Sequence, residues 1–200
     1  MMKIFITILF SLLFSTISFS QKGDFTLGLD YSQNNENYIY GYDKDKLEQV
    51  VGKLLAKKNA SLSLAESCTG GNLAHMITSV SGSSSYFKGS IVAYSNTVKT
   101  DFLSVDSQLL IKHGAVSKQV VEQMAIGANL RFDTDYSIAT SGVAGPNGGS
   151  VNKPVGLVFI GIKIGKKVIV NKFNFKNNGR LFIQKQTVKK SLNLLLKLII

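Results

Sequence analysis

SLSLAESCTGGNLAHMI, residues 61–77, carries the reading on which the fold turns. Its first part, SLSLAE (61–66), alternates Leu62 and Leu64 with small or polar residues, the period-two pattern of a half-buried strand. Its last part sets Leu73, Met76 and Ile77 at helical spacing. Ser67 therefore stands where a strand hands over to a helix, at the kind of sheet rim where α/β proteins gather ligands. Gly70 and Gly71 let a ligand approach the main chain closely. The turn suits a nucleophile or an anion, and as a heptapeptide AESCTGG (65–71) fits a plain strand–helix connection equally well.

Outward from this stretch, strands and helices alternate. Asp43 or Asp45 is placed to cap a helix whose apolar face is Leu47, Val50, Val51, Leu54 and Leu55, ended by Lys57, Lys58 and Asn59. KGSIVAYS (88–95) reads as a strand, and YSNTVK (94–99) turns from it into a short helix capped by Ser95 or Asn96. A further helix starts at Ser117, with Val120, Val121, Met124, Ala125 and Ala128 on one face. DYSIATSG (135–142) is a strand that enters a glycine-rich loop. VGLVFIGIKI and KVIVNKFNFK then form a hairpin about Gly165–Lys166, and a last helix runs from about Arg180. Alternation followed by local pairing predicts an α/β fold, a three-layer α/β/α sandwich with a mixed sheet.

The 200 residues suffice for one well-buried domain with a tail. Residues 44–200 are expected to form that domain and residues 21–43, rich in Asn, Tyr and Gly, a linker. Residues 1–20, MMKIFITILFSLLFSTISFS, have the basic start, apolar core and small-residue ending of a secretory signal peptide. Net charge is +11, all of it C-terminal: residues 151–200 hold 11 basic side chains and no acid. Those lysines punctuate two strands, where they oppose edge aggregation. Without an aromatic RNP-like string or zinc-finger spacing they do not make nucleic acid an expected partner. The single Cys68 excludes an internal disulfide, and with His75 and His113 as the sole histidines there is little material for a zinc centre or a Ser-His-Asp triad. His75 reads as structural.

Three loops fall at predicted strand ends: 67–71, 94–99 and 141–150. If their strands are parallel neighbours, the loops meet at one rim. The base available to Ser67 is then Lys99, which must be neutral to act. Its pKa would have to fall from about 10.4 to about 7–8 through burial or a neighbouring positive charge, for which Lys153 is one candidate. Tyr94 would relay the proton or hold the ammonium. The bland alternative is a packed Tyr94 and a solvated Lys99.

AESCTGGNLAHMITSVSGSSSYF, GSIVAYSNTVK, HGAVS, TSGVAGPNGGS and KPVG, in this order and spacing, resemble the C-terminal domain family of the competence/damage-inducible protein CinA over roughly residues 44–200. The resemblance implies an α/β/α sandwich and a nicotinamide mononucleotide deamidase, which releases ammonia and nicotinate mononucleotide. It makes Ser67 the nucleophile, with Tyr94 and Lys99 as helpers. It places Ser141 and Gly142 in the pocket; Thr69, Gly70, Gly71, Gly148, Gly149 and Arg180 complete the expected substrate-binding set. Main-chain N–H groups of the 67–71 turn or near Gly142 would hold the oxyanion. Neither metal nor cofactor is implied; the partner is the small-molecule substrate, and a homo-oligomer is compatible.

The chain departs from the family in three ways. Many members carry F-x-G-D-R where this sequence has FKNNGR, so Arg180 is kept while Gly179 replaces the acid. The N-terminal domain of the long CinA proteins is missing from this sequence. The signal-like start is unexpected beside a cytoplasmic metabolite; the family favours the cytoplasm, residues 1–20 favour export and membrane contact if uncleaved, and the cytoplasmic reading is preferred. Two other functions compete. Ser85 and Lys88 have the S-x-x-K spacing of penicillin-recognising enzymes, but neither S-D-N nor K-T-G is present. A non-catalytic nucleotide-binding module would use the same glycine loops without turnover.

Overall fold

The computed structural model describes residues 45–200 together with the main chain of two short strands, β1 (Gly28–Asp30) and β2 (Tyr38–Tyr40). The signal-like segment 1–20 lies outside the described residues. Residues 21–43, expected as linker, contain β1 and β2, which pair antiparallel with Leu29 opposite Ile39. These residues belong to a unit distinct from Asp45–Ile200.

The larger unit is built on five strands, β3 (Leu62–Glu66), β4 (Phe87–Val92), β5 (Tyr136–Gly142), β6 (Leu157–Ile164) and β7 (Lys167–Asn174), in the spatial order β4-β3-β5-β6-β7. β3 runs parallel to both β4 and β5, while β5, β6 and β7 pair antiparallel, so the sheet is mixed as expected. One face carries α1 (Leu47–Lys57), α2 (Asn72–Thr78) and α6 (Arg180–Ile199). The other carries α5 (Lys118–Phe132) with α3 (Asn96–Leu103) and α4 (Ser107–His113) against it. This is the α/β/α sandwich read from the sequence. Among the described residues no helix is long and apolar enough to cross a membrane.

β3 differs from its half-buried expectation, because all five of its residues are buried. A central parallel strand is covered on both faces. Its alternation sorts side chains between two cores: Ala65 joins Val120, Val121, Met124 and Ala125 under α5, and Leu62 and Leu64 point to the layer of α1 and α6. The polar members of the strand are satisfied; Ser63 Oγ, for example, pairs with Thr134 Oγ1 at 2.8 Å.

Several local expectations shift. Lys46, not an aspartate, stands at the N-cap of α1, where its N–H donates to the Gln49 side chain at 2.8 Å, and Asp45 pairs with Lys53; Asp43 lies outside the described residues. Ser95 and Ser117 do cap α3 and α5, accepting from Val98 and Val120 N–H. Helix α4 was not expected. It buries Leu110 as its one core residue, so its sequence shows no apolar face; its signals are the Asp106 cap and Gly114 at its end.

Gly127 shows how closely the helices approach. A Cβ there would lie 2.0 Å from the Leu103 carbonyl oxygen at the end of α3. Alanine would gain about 1 kcal/mol in helix propensity, yet forcing the two backbones apart costs about 1–3 kcal/mol. Gly127→Ala is therefore expected to lower the urea unfolding midpoint; an unchanged or raised midpoint would show that α3 gives way freely.

Candidate active site

The parallel register brings the three loops to one rim. Glu66, the last residue of β3, is level with Val92 on β4 and Thr140 on β5. Ser67 and Ala93 thus leave the sheet side by side, next to Ser141, which is still paired with Phe159 in β5–β6. Ser67 is tied to this rim by its N–H, which donates to the Thr140 carbonyl at 3.0 Å.

Lys99 reaches Ser67 from α3. Its side chain is 1% exposed, and Nζ lies 3.3 Å from Ser67 Oγ. Nζ also donates to the carbonyls of Ala93 at 2.6 Å, Tyr94 at 3.4 Å and Ser95 at 3.5 Å. These carbonyls are available because β4 stops at Val92, three residues short of the predicted strand. The lysine is thus buried, not solvated. Burial holds its pKa below the ordinary lysine value, against a smaller opposing effect of Cys68. The cause is desolvation and not the neighbouring cation that Lys153 was to supply. Lys153 donates instead to the carbonyl of His113, the last residue of α4.

Tyr94 departs from its expected role. Its ring is 62% exposed, and its hydroxyl accepts from Arg180 Nη2 at 2.8 Å; what it offers the Lys99 amine is its main-chain carbonyl. Arg180 also donates to the Gly145 carbonyl at 3.1 Å, binding the 94 and 145 loops to the first turn of α6.

The other predicted site residues divide. Thr69 is buried and its hydroxyl pairs with Thr140 Oγ1 at 2.8 Å; Ser141 is buried and donates to the Ala115 carbonyl at 2.8 Å. Both hydroxyls are engaged by the scaffold. A Cβ on Gly142 would lie 2.7 Å from the Leu157 carbonyl, so that glycine serves the β5–β6 approach. Gly70 and Gly71 occupy the left-handed region at φ 62° and 95° and form the turn. Their N–H groups are not open to an oxyanion, because Gly70 donates to the Ser67 carbonyl and Gly71 to Glu66. Gly148 and Gly149 lie in the exposed part of the 141–150 loop. Ser85 and Lys88 are both exposed and Ser85 Oγ donates to Gly82, which gives S-x-x-K no site. His75 is exposed on α2. Among the described residues no three His, Cys, Asp or Glu side chains gather around a metal position.

Two residues that the sequence reading passed over complete the rim. Glu66 is fully buried, and its carboxylate accepts from Gly71, Leu73 and Ala74 N–H at 2.8–3.1 Å, closing the N-terminus of α2. An acid ending a buried strand was the available signal. Gln184, buried on α6, donates to the Cys68 carbonyl at 3.0 Å and accepts from Asn72 Nδ2 at 3.4 Å. It lies 116 residues from Cys68, so nothing local in the sequence points to it. Cys68 itself is no rival nucleophile: burial pushes its thiol up to about 12, outweighing the bonds that favour its thiolate.

Mixed sheet, two helical layers and a serine–lysine pair at the rim define an α/β sandwich protein. The CinA C-terminal domain profile matches residues 44–199, and the chain belongs to that family. It is 48% identical over 142 residues to a CinA-like protein of Cytophaga hutchinsonii, covering 71% of this chain and 34% of that one. A CinA-like protein of Endomicrobium trichonymphae is 46% identical over 169 residues, 84% of this chain and 39% of that one. The chain thus spans little more than a third of the length of these curated relatives. Among solved structures, a competence/damage inducible protein of Agrobacterium tumefaciens superposes with a TM-score of 0.74 at 37% identity, over 76% of this chain and 93% of that one. A CinA superfamily protein of Escherichia coli gives a TM-score of 0.72 at 32% identity, over 78% and 92% of the two chains.

The buried amine has a consequence for stability. With the folded pKa of Lys99 below its ordinary 10.5, the folded chain releases this proton before the unfolded chain does. Stability therefore rises with pH between the folded and unfolded values. The difference in unfolding free energy, parent minus Lys99→Met, is expected to grow as pH is raised toward about 10. A difference independent of pH would mean that Lys99 titrates alike in both states.

Proposed function

We propose that the chain hydrolyses the carboxamide of nicotinamide mononucleotide to the carboxylate, with Ser67 as nucleophile and Lys99 as base. The observation that carries this reading is the buried Nζ within hydrogen-bond reach of Ser67 Oγ. A neutral amine donates to main-chain carbonyls such as that of Ala93 and accepts the Ser67 hydroxyl proton on its lone pair. Ser67 Oγ then bonds to the carboxamide carbon; the proton held by Lys99 passes to the departing nitrogen, which leaves as ammonia. Water attacks the acyl-enzyme, giving a proton to Lys99 and a hydroxyl to the acid product, and Lys99 returns the proton to Ser67. Arg180 keeps N–H donors beyond those on Tyr94 and Gly145, and is assigned to the 5′-phosphate.

Ammonia release from nicotinamide mononucleotide by the full chain, in a coupled assay, is the test. Ser67→Ala is expected to lower kcat by about a thousandfold or more with the substrate still bound. Lys99→Arg is expected to stay inactive, because a guanidinium does not give up its proton. Absence of ammonia release by the parent would remove the proposed reaction. Arg180→Ala should raise KM on the mononucleotide about tenfold and leave the dephosphorylated riboside unaffected; equal losses on both would make Arg180 a strut for Tyr94 and Gly145.

A second reading, a nucleotide-binding module without turnover, is favoured by the carbonyls of Ala93, Tyr94 and Ser95 around Nζ, which suit an ammonium. The pH profile separates the two. A lysine base makes kcat/KM rise with pH through an ionisation below 10.5, whereas a fixed ammonium gives no rise there.

A further inference from the structure

We infer that the layer formed by α1, α2 and α6 is a docking surface for an anionic lipid bilayer. The inference is independent of the reaction proposed for Ser67.

The two helical layers differ in charge. Helices α1, α2 and α6 carry six lysines, Lys53, Lys57, Lys185, Lys189, Lys190 and Lys197, against one acid, Glu48. Arg180 adds a cation at the rim, where Tyr94 and Gly145 hold it. In the opposite layer Lys112, Lys118 and Arg131 are offset by Asp101, Asp106, Glu122 and Asp133, and Lys99 is buried. The fold thus joins the lysines of α1 to those of the basic C-terminal stretch on one face, and leaves the other face balanced. A helix surface that is only solvated mixes both signs. Protection of a sheet edge accounts for the lysines of β7, but α1 and α6 expose no strand edge.

The side chains on this face select a bilayer among anionic partners. A lysine lays its methylene stem along the headgroup boundary and keeps its ammonium among the phosphates. Helix α6 sets apolar side chains beside its lysines: Leu181, 69% exposed, is one turn from Lys185, and Ile200, 55% exposed, stands three residues from Lys197. The exposed positions of the three helices hold no Phe, Tyr or Trp on which nucleic-acid bases could stack. Residues 1–20 have the apolar composition that keeps a chain at a bilayer for as long as they stay attached. Since none of the described helices is long and apolar enough to cross a membrane, the contact of this layer is peripheral. Lys53 is paired with Asp45, and Lys190 lies over the Phe173 ring at 5.3 Å, so the exposed Lys57, Lys185 and Lys197 carry the test.

The full chain is mixed with phosphatidylcholine vesicles, with or without phosphatidylglycerol, and the bound fraction is measured by flotation. The parent is expected to bind the anionic vesicles about tenfold or more tightly than the neutral ones. Lys57→Glu/Lys185→Glu/Lys197→Glu should abolish that preference. Lys112→Glu/Lys118→Glu/Arg131→Glu, the same change of net charge on the opposite layer, should keep it. Equal binding of the parent to both vesicles overturns the inference, because the apolar run 1–20 then accounts for all of it. Equal loss in the two triple variants also overturns it, since net charge and not this face would be responsible. A duplex or single-stranded oligonucleotide that displaces the parent from anionic vesicles, and binds the α1–α6 variant more weakly, would make nucleic acid the partner and overturn the lipid. If either variant fails to fold, lysine acetylation of the parent decides: anionic vesicles should protect Lys57, Lys185 and Lys197 and leave Lys112 and Lys118 reactive, and equal reactivity overturns the inference.

Discussion

The burial of one amine governs this end of the molecule. Taking an ammonium out of water costs several kcal/mol unless it is neutralised or fully hydrogen-bonded, and Lys99 is 1% exposed with no carboxylate among its hydrogen-bond partners. The chain is shaped to bear that cost. β4 ends at Val92 so that the next carbonyls turn inward, Ser95 caps α3 so that the helix begins under them, and Gly127 lets α5 close over the end of α3. What remains of the cost appears as a pKa held below the ordinary lysine value.

The acid at the same rim is kept to the other face. Strand alternation sends Glu66 toward α2 and Ser67 away from it. Glu66 fills the N-terminus of α2, a position where a free anion would otherwise be favoured. The glycine turn is therefore closed to phosphate on that side. This separates the present turn from the phosphate cradles that a strand, a glycine turn and a helix commonly form.

The first turn of α6 joins the loops that the sheet merely sets side by side. Arg180 and Gln184 are four residues apart, hence on one helix face. Arg180 grips Tyr94 and Gly145, and Gln184 grips the Cys68 carbonyl. The C-terminal helix is thus both a covering layer and the element that sets the rim. Gly179 before it carries no side chain to orient Arg180, and that task falls to the Tyr94 hydroxyl.

The sequence by itself determined most of the elements and the place of Ser67. Periodicity placed β3, α5, the β6–β7 hairpin and α6, because each has a strong apolar pattern over its own length; α4, with Leu110 its one core residue, escaped for want of such a pattern. Ser67 and Lys99 were legible from a strand-end turn and a near absence of histidine. The partners of each group were not. That Lys99 is buried, that Tyr94 faces Arg180, that Thr69 and Ser141 serve the scaffold, and that Gln184 holds Cys68 depend on contacts between segments far apart in the chain. A side chain's protonation and direction are set by what the folded layers bring against it, and local sequence carries no record of those neighbours.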